Sequence, residues 1–170
     1  MVLMRRARFN RIIAVSIAGL FIALSGLMFA NEPVSAARRS RYSFHKAEKC
    51  MMRKINKRRA NQGLKRLAWD RQLGYVARKH SRKMSNDRTI YHDSALGQKV
   101  TRWRRLGQNV GMGGGCHHLF KTFMRSSPHR HNIMGRWRHV GVGSATKGGT
   151  LYVMHVFESK RNPGNVYSYP

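Results

Sequence analysis

The chain has 170 residues, enough for one domain with a buried core and short extensions at its ends. Its charge is extreme, because 34 lysines and arginines stand against only 6 aspartates and glutamates, for a net charge of +28. So few carboxylates exclude a carboxylate-rich calcium or magnesium site and argue against the paired acids of most glycosidases. The two cysteines exclude a zinc finger, which needs four closely spaced cysteine or histidine ligands.

The N-terminal segment has the layout of a secretory signal peptide. Residues 1–11 hold four arginines, residues 12–30 carry no charge, and Val34-Ser35-Ala36 supplies small residues for a signal peptidase. We therefore predict cleavage after Ala36, which makes residues 1–36 a signal peptide and the protein extracellular. The alternative is an uncleaved membrane anchor, since the uncharged run is just long enough to span a bilayer; the domain then still faces outward.

Export bears on the oxidation state of the two cysteines, Cys50 and Cys116. An oxidising compartment favours a disulfide between them. This disulfide would close a long loop and stabilise the fold by on the order of 4 kcal/mol. The alternative is two buried free thiols, because sequence alone does not place their Cα atoms within bonding distance.

The hydrophobic pattern predicts helices first and a β-hairpin last. Apolar residues at three- and four-residue spacing indicate helices, and Asp70 is expected to cap the second of them. The last strand is almost uniformly apolar and should be buried on both faces, so helices must cover both sides of the sheet. The predicted elements are a mobile basic leader (37–43), helices over 44–61 and 71–87, a helical turn over 100–103, a strand over 107–110, a glycine-rich hinge over 111–115, helices over 116–125 and 128–134 with Ser127 as N-cap, and strands over 139–145 and 151–157.

Four blocks of the sequence, in order and at suitable distances, carry a family resemblance. They are INKRRANQGL (55–64) with Leu67 and Asp70, YHDS (91–94), LGQNV (106–110), and SPHRHNIM (127–134) followed by VGVG (140–143). Together they resemble CAP domains, the cysteine-rich secretory, antigen 5 and pathogenesis-related proteins, also called SCP-like; the last block resembles the bacterial form. The resemblance implies an α/β fold, a three-layer α-β-α sandwich. We assign the CAP domain to residues 44–160 and a C-terminal tail to residues 161–170.

The resemblance also implies a cleft with two histidines and up to two glutamates, which in some members holds a divalent metal. His92 and His129 correspond to the histidines, and Gln108 stands where the Gly-Glu-Asn block has its glutamate. The second glutamate has no clear counterpart, since residues 112–128 contain no acid. Acid–base chemistry would therefore fall on the two imidazoles alone. They could hold Zn²⁺ or Cu²⁺ only weakly, without a third protein ligand or a carboxylate behind them.

Four further histidines are expected to carry no chemistry. His80 and His155 lie on apolar faces, and we interpret both as core or cleft-edge residues. His117 and His118 are adjacent at the start of a predicted helix, where neighbouring side chains point apart, so we expect them to be exposed and not a ligand pair.

Three functions fit this sequence. The one we favour is a secreted CAP-domain protein that binds through a cleft lined by His92, Gln108 and His129 or through its basic surface, with no defined reaction and no catalytic residue. The second is a metal-assisted hydrolase with the two histidines as zinc ligands, and the third a polyanion-binding envelope protein with a vestigial cleft. Because the basic residues are scattered over several elements, we expect an anionic envelope polymer or anionic lipid surface as partner, ahead of extracellular nucleic acid. The alternative is a charge bias with no partner.

Overall fold

The computed structural model of the chain describes residues 42–159 and the backbone of residues 166 and 167. The predicted signal peptide, the first part of the basic leader and most of the C-terminal tail lie outside these described residues. No helix among the described residues combines the length and the hydrophobicity that a membrane crossing requires.

The described residues form five helices and one five-stranded sheet. The helices are α1 (Lys46–Ala60), α2 (Arg71–Asp87), α3 (Leu96–Lys99), α4 (Cys116–Arg125) and α5 (Ser127–Met134). The strands are β1 (Ala68–Asp70), β2 (Leu106–Gly113), β3 (His139–Lys147), β4 (Thr150–Glu158) and β5 (Val166–Tyr167). The strand order is β2-β4-β3-β1-β5, and β1 with β3 is the parallel pair.

The strand β4 lies between β2 and β3 and is buried on both faces, as predicted. Because successive side chains of a strand point to opposite faces, Val153 and Phe157 pack with α1, α4 and α5, whereas Met154 and Val156 pack with α2. The helices therefore lie on both sides of the sheet. The predicted three-layer α-β-α sandwich is confirmed.

The helix α2 packs directly on β3 because two glycines remove the side chains from that face of the strand. A Cβ atom at Gly141 would lie 2.2 Å from the backbone of Leu73, and one at Gly143 would lie 2.0 Å from the backbone nitrogen of Arg78. The alternating residues Val140 and Val142 fill the core on the opposite face. In the VGVG block, the two glycines thus give β3 a face without side chains toward α2, and the two valines give it an apolar face toward α1.

The glycine-rich segment 111–115 is not the hinge that its composition predicts. Gly111 to Gly113 continue β2 and pair with β4. A Cβ atom at Gly111 would lie 2.8 Å from the ring of Phe123, so the missing side chain lets α4 approach the sheet. Close packing, and not backbone freedom, explains glycine at this position.

Other local predictions differ from the structure by a few residues. The short helix lies at α3 and not at 100–103, because the carbonyl and the carboxylate of Asp93 accept hydrogen bonds from the backbone N–H groups of Leu96 and Ala95.

The cap of α5 also differs by one residue: Ser127 is the first residue of the helix, and its cap is Ser126. The three-residue strand β1 was not predicted, since so short a segment carries no periodicity. Asp70 caps α2 as predicted, accepting from the N–H of Leu73 at 2.9 Å.

The predicted disulfide between Cys50 and Cys116 is present. It joins α1 to the first residue of α4, with the two Cα atoms 6.3 Å apart. The helices that it connects belong to the same hydrophobic core.

Side chains close the free edge of β3. The short strand β1 pairs with β3 only at His139 and Val140, so within the part of the chain that the structure describes the later residues of β3 have no neighbouring strand on that side. The N–H of Ser144 donates to the buried carboxylate of Glu48 at 3.1 Å, and Nδ1 of His45 donates to the carbonyl of Ser144 at 3.2 Å. These bonds satisfy backbone groups that an open sheet edge would leave available for pairing with another chain.

The same carboxylate joins the two helical layers. Nε of Arg78, on α2, donates to Glu48, on α1, at 2.8 Å, and its Nη2 bonds the second carboxylate oxygen. The guanidinium also lies over the ring of Tyr42, 4.2 Å from its centroid, and donates to the carbonyl of Ser43 at 2.8 Å. Tyr42, which the sequence placed in a mobile leader, is therefore part of the core, because the buried ion pair and the surrounding rings hold it.

Breaking this ion pair tests its role in stability. Arg78→Met keeps much of the side-chain volume but leaves the carboxylate of Glu48 buried without its cation. We expect the free energy of unfolding to fall by about 3–5 kcal/mol, the usual cost of removing one partner of a buried pair. Chemical denaturation measures this loss. The matched control is Lys79→Met at the next, exposed position, expected within about 0.5 kcal/mol of wild type; equal losses in both variants would contradict the role assigned to the pair.

Candidate functional site

The two histidines of the predicted cleft come from different elements. His92 is exposed on the loop between α2 and α3, and His129 is half-buried in the first turn of α5. Burial lowers the pKa of His129, and the nearby positive charge of His92 lowers it further. The fold thus brings the two imidazoles close enough to interact electrostatically. Their role in binding stays a prediction.

The position of His129 is set by two asparagines from the sequence blocks. The backbone carbonyl of His129 accepts from Nδ2 of Asn109 at 3.0 Å, and Oδ1 of Asn109 accepts from Nδ2 of Asn132 at 2.9 Å. The imidazole Nδ1 lies 2.9 Å from Oγ of Ser126, and the ring packs edge-on against Phe123. These asparagines therefore fix α5 on β2 through hydrogen bonds to the backbone and to each other.

Gln108 uses both the oxygen and the nitrogen of its side-chain amide to hold the loop that carries His92. Its Oε1 accepts from the N–H of Asp93 at 2.9 Å, and its Nε2 donates to the carbonyl of Asp93 at 3.2 Å. An amide can donate and accept at once, whereas an ionised glutamate here could not donate to the carbonyl. Gln108 is thus a positioning residue for the loop, and its predicted contact with a ligand remains a prediction.

The acid next to His92 is neutralised. Both oxygens of the buried Asp93 accept from Nζ of Lys99 at 2.7 Å. Nε2 of His80 donates to the carbonyl of Tyr91 at 2.7 Å, and the buried His80 ring faces Asp93 with Nδ1 and Oδ2 3.8 Å apart. The buried His80 therefore holds the loop that carries His92 through the carbonyl of Tyr91, in keeping with the interpretation of His80 as a core residue.

A third imidazole lies close to His129. His155, on β4, is fully buried between the rings of Phe123 and Phe157, whose centroids lie 4.9 and 5.9 Å from its own. Burial, with a smaller contribution from His129, lowers the pKa of His155 to about 3. Neither of its ring nitrogens has a hydrogen-bond partner among the described residues. The apolar pattern of β4 marked His155 as a core residue but gave no signal of its nearness to His129.

Among the described residues, the two cleft histidines do not belong to a group of three candidate metal ligands. Within 42–159, the one group of three candidate ligand atoms is Cys50, Cys116 and His117, and its cysteines are in the disulfide. A metal on His92 and His129 would depend on water for the rest of its coordination shell.

Several cavities among the described residues have volumes of about 290 to 640 Å³, and neither His92 nor His129 lines these particular ones. One of these, of about 600 Å³, runs along α2, and we call it the α2 groove. It is lined by Tyr75, Val76, Lys79, His80, Arg82, Lys83, Asn86, Asp93 and Lys99. The structure thus gathers in one cavity basic residues that the sequence predicts to be scattered over several elements. The signal that could have found the groove is the spacing of residues 79, 82 and 83, which places three cations on one side of a helix.

The basic surface is almost free of exposed acids. Five acidic residues lie in the described part of the chain, and four are buried, each bonded inside the fold: Glu48 to Arg78, Asp70 to the start of α2, Asp93 to Lys99, and Glu158 to His139 at 2.8 Å. Asp87 is exposed and accepts from the hydroxyl of Tyr91 at 2.5 Å. The described surface therefore presents its positive charge with one exposed carboxylate to offset it.

Replacing His155 tests whether it is buried in its neutral form. Below about pH 6.5 the unfolded chain protonates this imidazole, whereas the folded protein does so only near pH 3, so His155 reduces stability as the pH falls through this window. In His155→Leu this penalty is absent. Relative to wild type, its free energy of unfolding should gain about 1 kcal/mol for each pH unit between pH 6 and pH 4. Denaturation at several pH values measures the difference, and a difference that does not change with pH would refute the assignment.

Comparison with known proteins agrees with this architecture. The family model described as the cysteine-rich secretory protein family, CAP, matches residues 52–158. Comparison with curated proteins gives no match.

Three solved bacterial structures have the same fold. An extracellular protein containing an SCP domain from Bacillus anthracis is 24% identical, with a TM-score of 0.60 over 67% of this chain and 40% of that chain. An outer surface protein from Borrelia burgdorferi is 16% identical, with a TM-score of 0.64 over 71% of this chain and 97% of that chain. A cysteine-rich secretory protein from Staphylococcus aureus is 20% identical, with a TM-score of 0.58 over 67% of this chain and 39% of that chain.

This chain thus corresponds to less than half the length of the Bacillus and Staphylococcus structures. The match to the family model extends over more than half of the chain and coincides with the α-β-α sandwich. The chain therefore belongs to the cysteine-rich secretory protein (CAP) family.

Proposed function

We propose that this protein is an exported CAP-domain protein that binds an anionic polymer of the cell envelope through the α2 groove. The observation that carries the proposal is the presence of three cations, Lys79, Arg82 and Lys83, in one cavity of about 600 Å³. The signal-like N-terminus supports export, as do the extracellular and outer-surface descriptions of the Bacillus and Borrelia structures.

The three cations are available to a ligand. They lie at i, i+3 and i+4 on α2 and therefore share one side of the helix. None of them forms a salt bridge with another described residue. The acid of the groove, Asp93, is already paired with Lys99. An entering anion would thus meet three positive charges that no carboxylate of the groove offsets.

The shape of the groove favours a flexible chain as its ligand. Tyr75 and Val76 add apolar surface beside the cations, which suits a polymer with carbon segments between its anionic groups. A bilayer surface and duplex DNA are both too broad to enter a cavity of this volume. Basic residues elsewhere on the surface would attract the same polymer over longer distances, an effect that salt screens.

Neutralising the groove tests this proposal. A triple variant, Lys79→Gln with Arg82→Gln and Lys83→Gln, should bind poly(glycerol phosphate) about tenfold more weakly, because each exposed ion pair contributes up to about 1 kcal/mol. Titration calorimetry at low and at physiological salt measures the affinity. The matched control removes the same residue types at exposed positions away from α2, in Lys57→Gln with Arg58→Gln and Lys65→Gln, and should lose less than about threefold.

Two outcomes would contradict the proposal. Equal losses in the groove variant and the control would mean that binding depends on total charge and not on the groove. Tighter binding to anionic vesicles or to DNA than to the polymer, with the same dependence on the groove residues, would mean that the partner is of another class.

A second candidate function is metal binding by His92 and His129. The observation that favours it is that consecutive residues of β2 hold both histidines: Gln108 bonds the backbone of Asp93, next to the exposed His92, and Asn109 donates to the carbonyl of His129. A metal bound there would keep positions open for water, which a hydrolase requires.

Zinc titration of the oxidised protein tests this second candidate. If it is right, His92→Asn and His129→Asn each weaken zinc binding by about tenfold or more, whereas His131→Asn, at an exposed position of α5, leaves it unchanged. A chromophoric chelator in competition reports the affinity. Absence of zinc binding, or the same binding in all three variants, removes the metal candidate and leaves the polymer proposal standing.

A further inference from the structure

We infer that this protein, once its disulfide is reduced, binds Zn²⁺ or a similarly soft metal ion through Cys50, Cys116 and His117. The two Sγ atoms and a ring nitrogen of the histidine all lie within 4.8 Å of one another. Two thiolates and an imidazole form one of the ligand sets that zinc prefers in three-ligand sites. The inference is independent of the polymer proposal and of the His92 and His129 candidate, because it uses other residues.

The three ligands can be reached from solvent. Both cysteines are half-buried and His117 is exposed. All three line one cavity of about 640 Å³ beside β3. A reductant and a metal ion can therefore approach the sulfur atoms without unfolding of the core.

The scaffold holds the ligands near each other without the disulfide. The neighbours of Cys50 on α1, Met51 and Ile55, pack in the same buried core as Leu119 and Phe123 of α4. The reduced thiols therefore remain on packed helices. Cys116 is also the first residue of α4, where the positive end of the helix dipole favours the thiolate form.

The chemistry balances in two steps. A phosphine attacks the disulfide and breaks the Sγ–Sγ bond. One water molecule then gives its oxygen to the phosphine, which becomes the phosphine oxide, and its two protons go to the two sulfur atoms, which become thiols. Zn²⁺ then displaces both thiol protons to solvent and binds two thiolates and the neutral imidazole of His117, with water as the fourth ligand. Two thiolate charges offset the metal charge, so the nearby cations Lys46 and Arg53 do not oppose the complex as a whole. The metal restores the link between α1 and α4 that reduction removes.

The test compares zinc binding before and after reduction. Purified protein is reduced with an immobilised phosphine and titrated with Zn²⁺ against a chromophoric chelator, with circular dichroism to follow folding. We expect reduction to create one additional zinc site per chain. His117→Asn should weaken that site by about tenfold or more, and the matched variant His118→Asn should leave it unchanged. Zinc should also raise the melting temperature of the reduced protein by more than it raises that of the oxidised protein.

Cobalt supplies a spectroscopic check, because Co²⁺ bound to thiolates shows charge-transfer absorption that two histidines alone do not give. Any zinc site on His92 and His129 exists in both redox states. Its contribution to zinc binding is removed by subtracting the titration of the oxidised protein from that of the reduced protein. Three results would each overturn the inference: no gain of zinc binding on reduction, equal gain in His117→Asn and wild type, or a reduced chain that stays unfolded when zinc is added.

Discussion

The buried ion pair of Glu48 and Arg78 is the interaction on which the remaining structure depends. The pair connects the two helical layers of the sandwich beside the edge of β3 that the short β1 leaves uncovered among the described residues. One carboxylate closes this edge by accepting from the backbone of Ser144 and from the guanidinium on α2. The position of α2 then decides where the cations of the α2 groove lie and where the loop with His92 begins.

The scarcity of acids connects this fold to its surface. Four of the five acidic residues in the described part of the chain lie inside it, where they pair with a cation, pair with a histidine or cap a helix. The exterior is left with positive charge and almost nothing to neutralise it. A net charge of this size opposes the compact state, so each buried carboxylate matters more here than in a balanced protein. The same distribution makes an anionic partner the natural complement of the surface.

The sequence predicted much of the fold and less of the candidate site, for physical reasons. The helices α1, α2 and α4 follow from local periodicity and the Asp70 cap, and the terminal hairpin follows from the turn at Gly148 and Gly149 between β3 and β4. Gly111 was misjudged, because composition does not distinguish a flexible glycine from one that admits a neighbouring ring. The family resemblance located Gln108 but not its partner, since the backbone of Asp93 reaches it only through tertiary structure. The nearness of His155 to His129 also arises only through tertiary structure, and no local sequence pattern encodes it.

The most direct test of the central claim, that α2 carries the binding surface, is a map of backbone amide shifts. The measurement follows the ¹H–¹⁵N spectrum of the oxidised protein during titration with poly(glycerol phosphate). We expect the largest changes at residues 75–86 of α2 and at Lys99, which lines the same groove. Changes centred on α5 and His129, or spread evenly over α1 and α2, would contradict this claim.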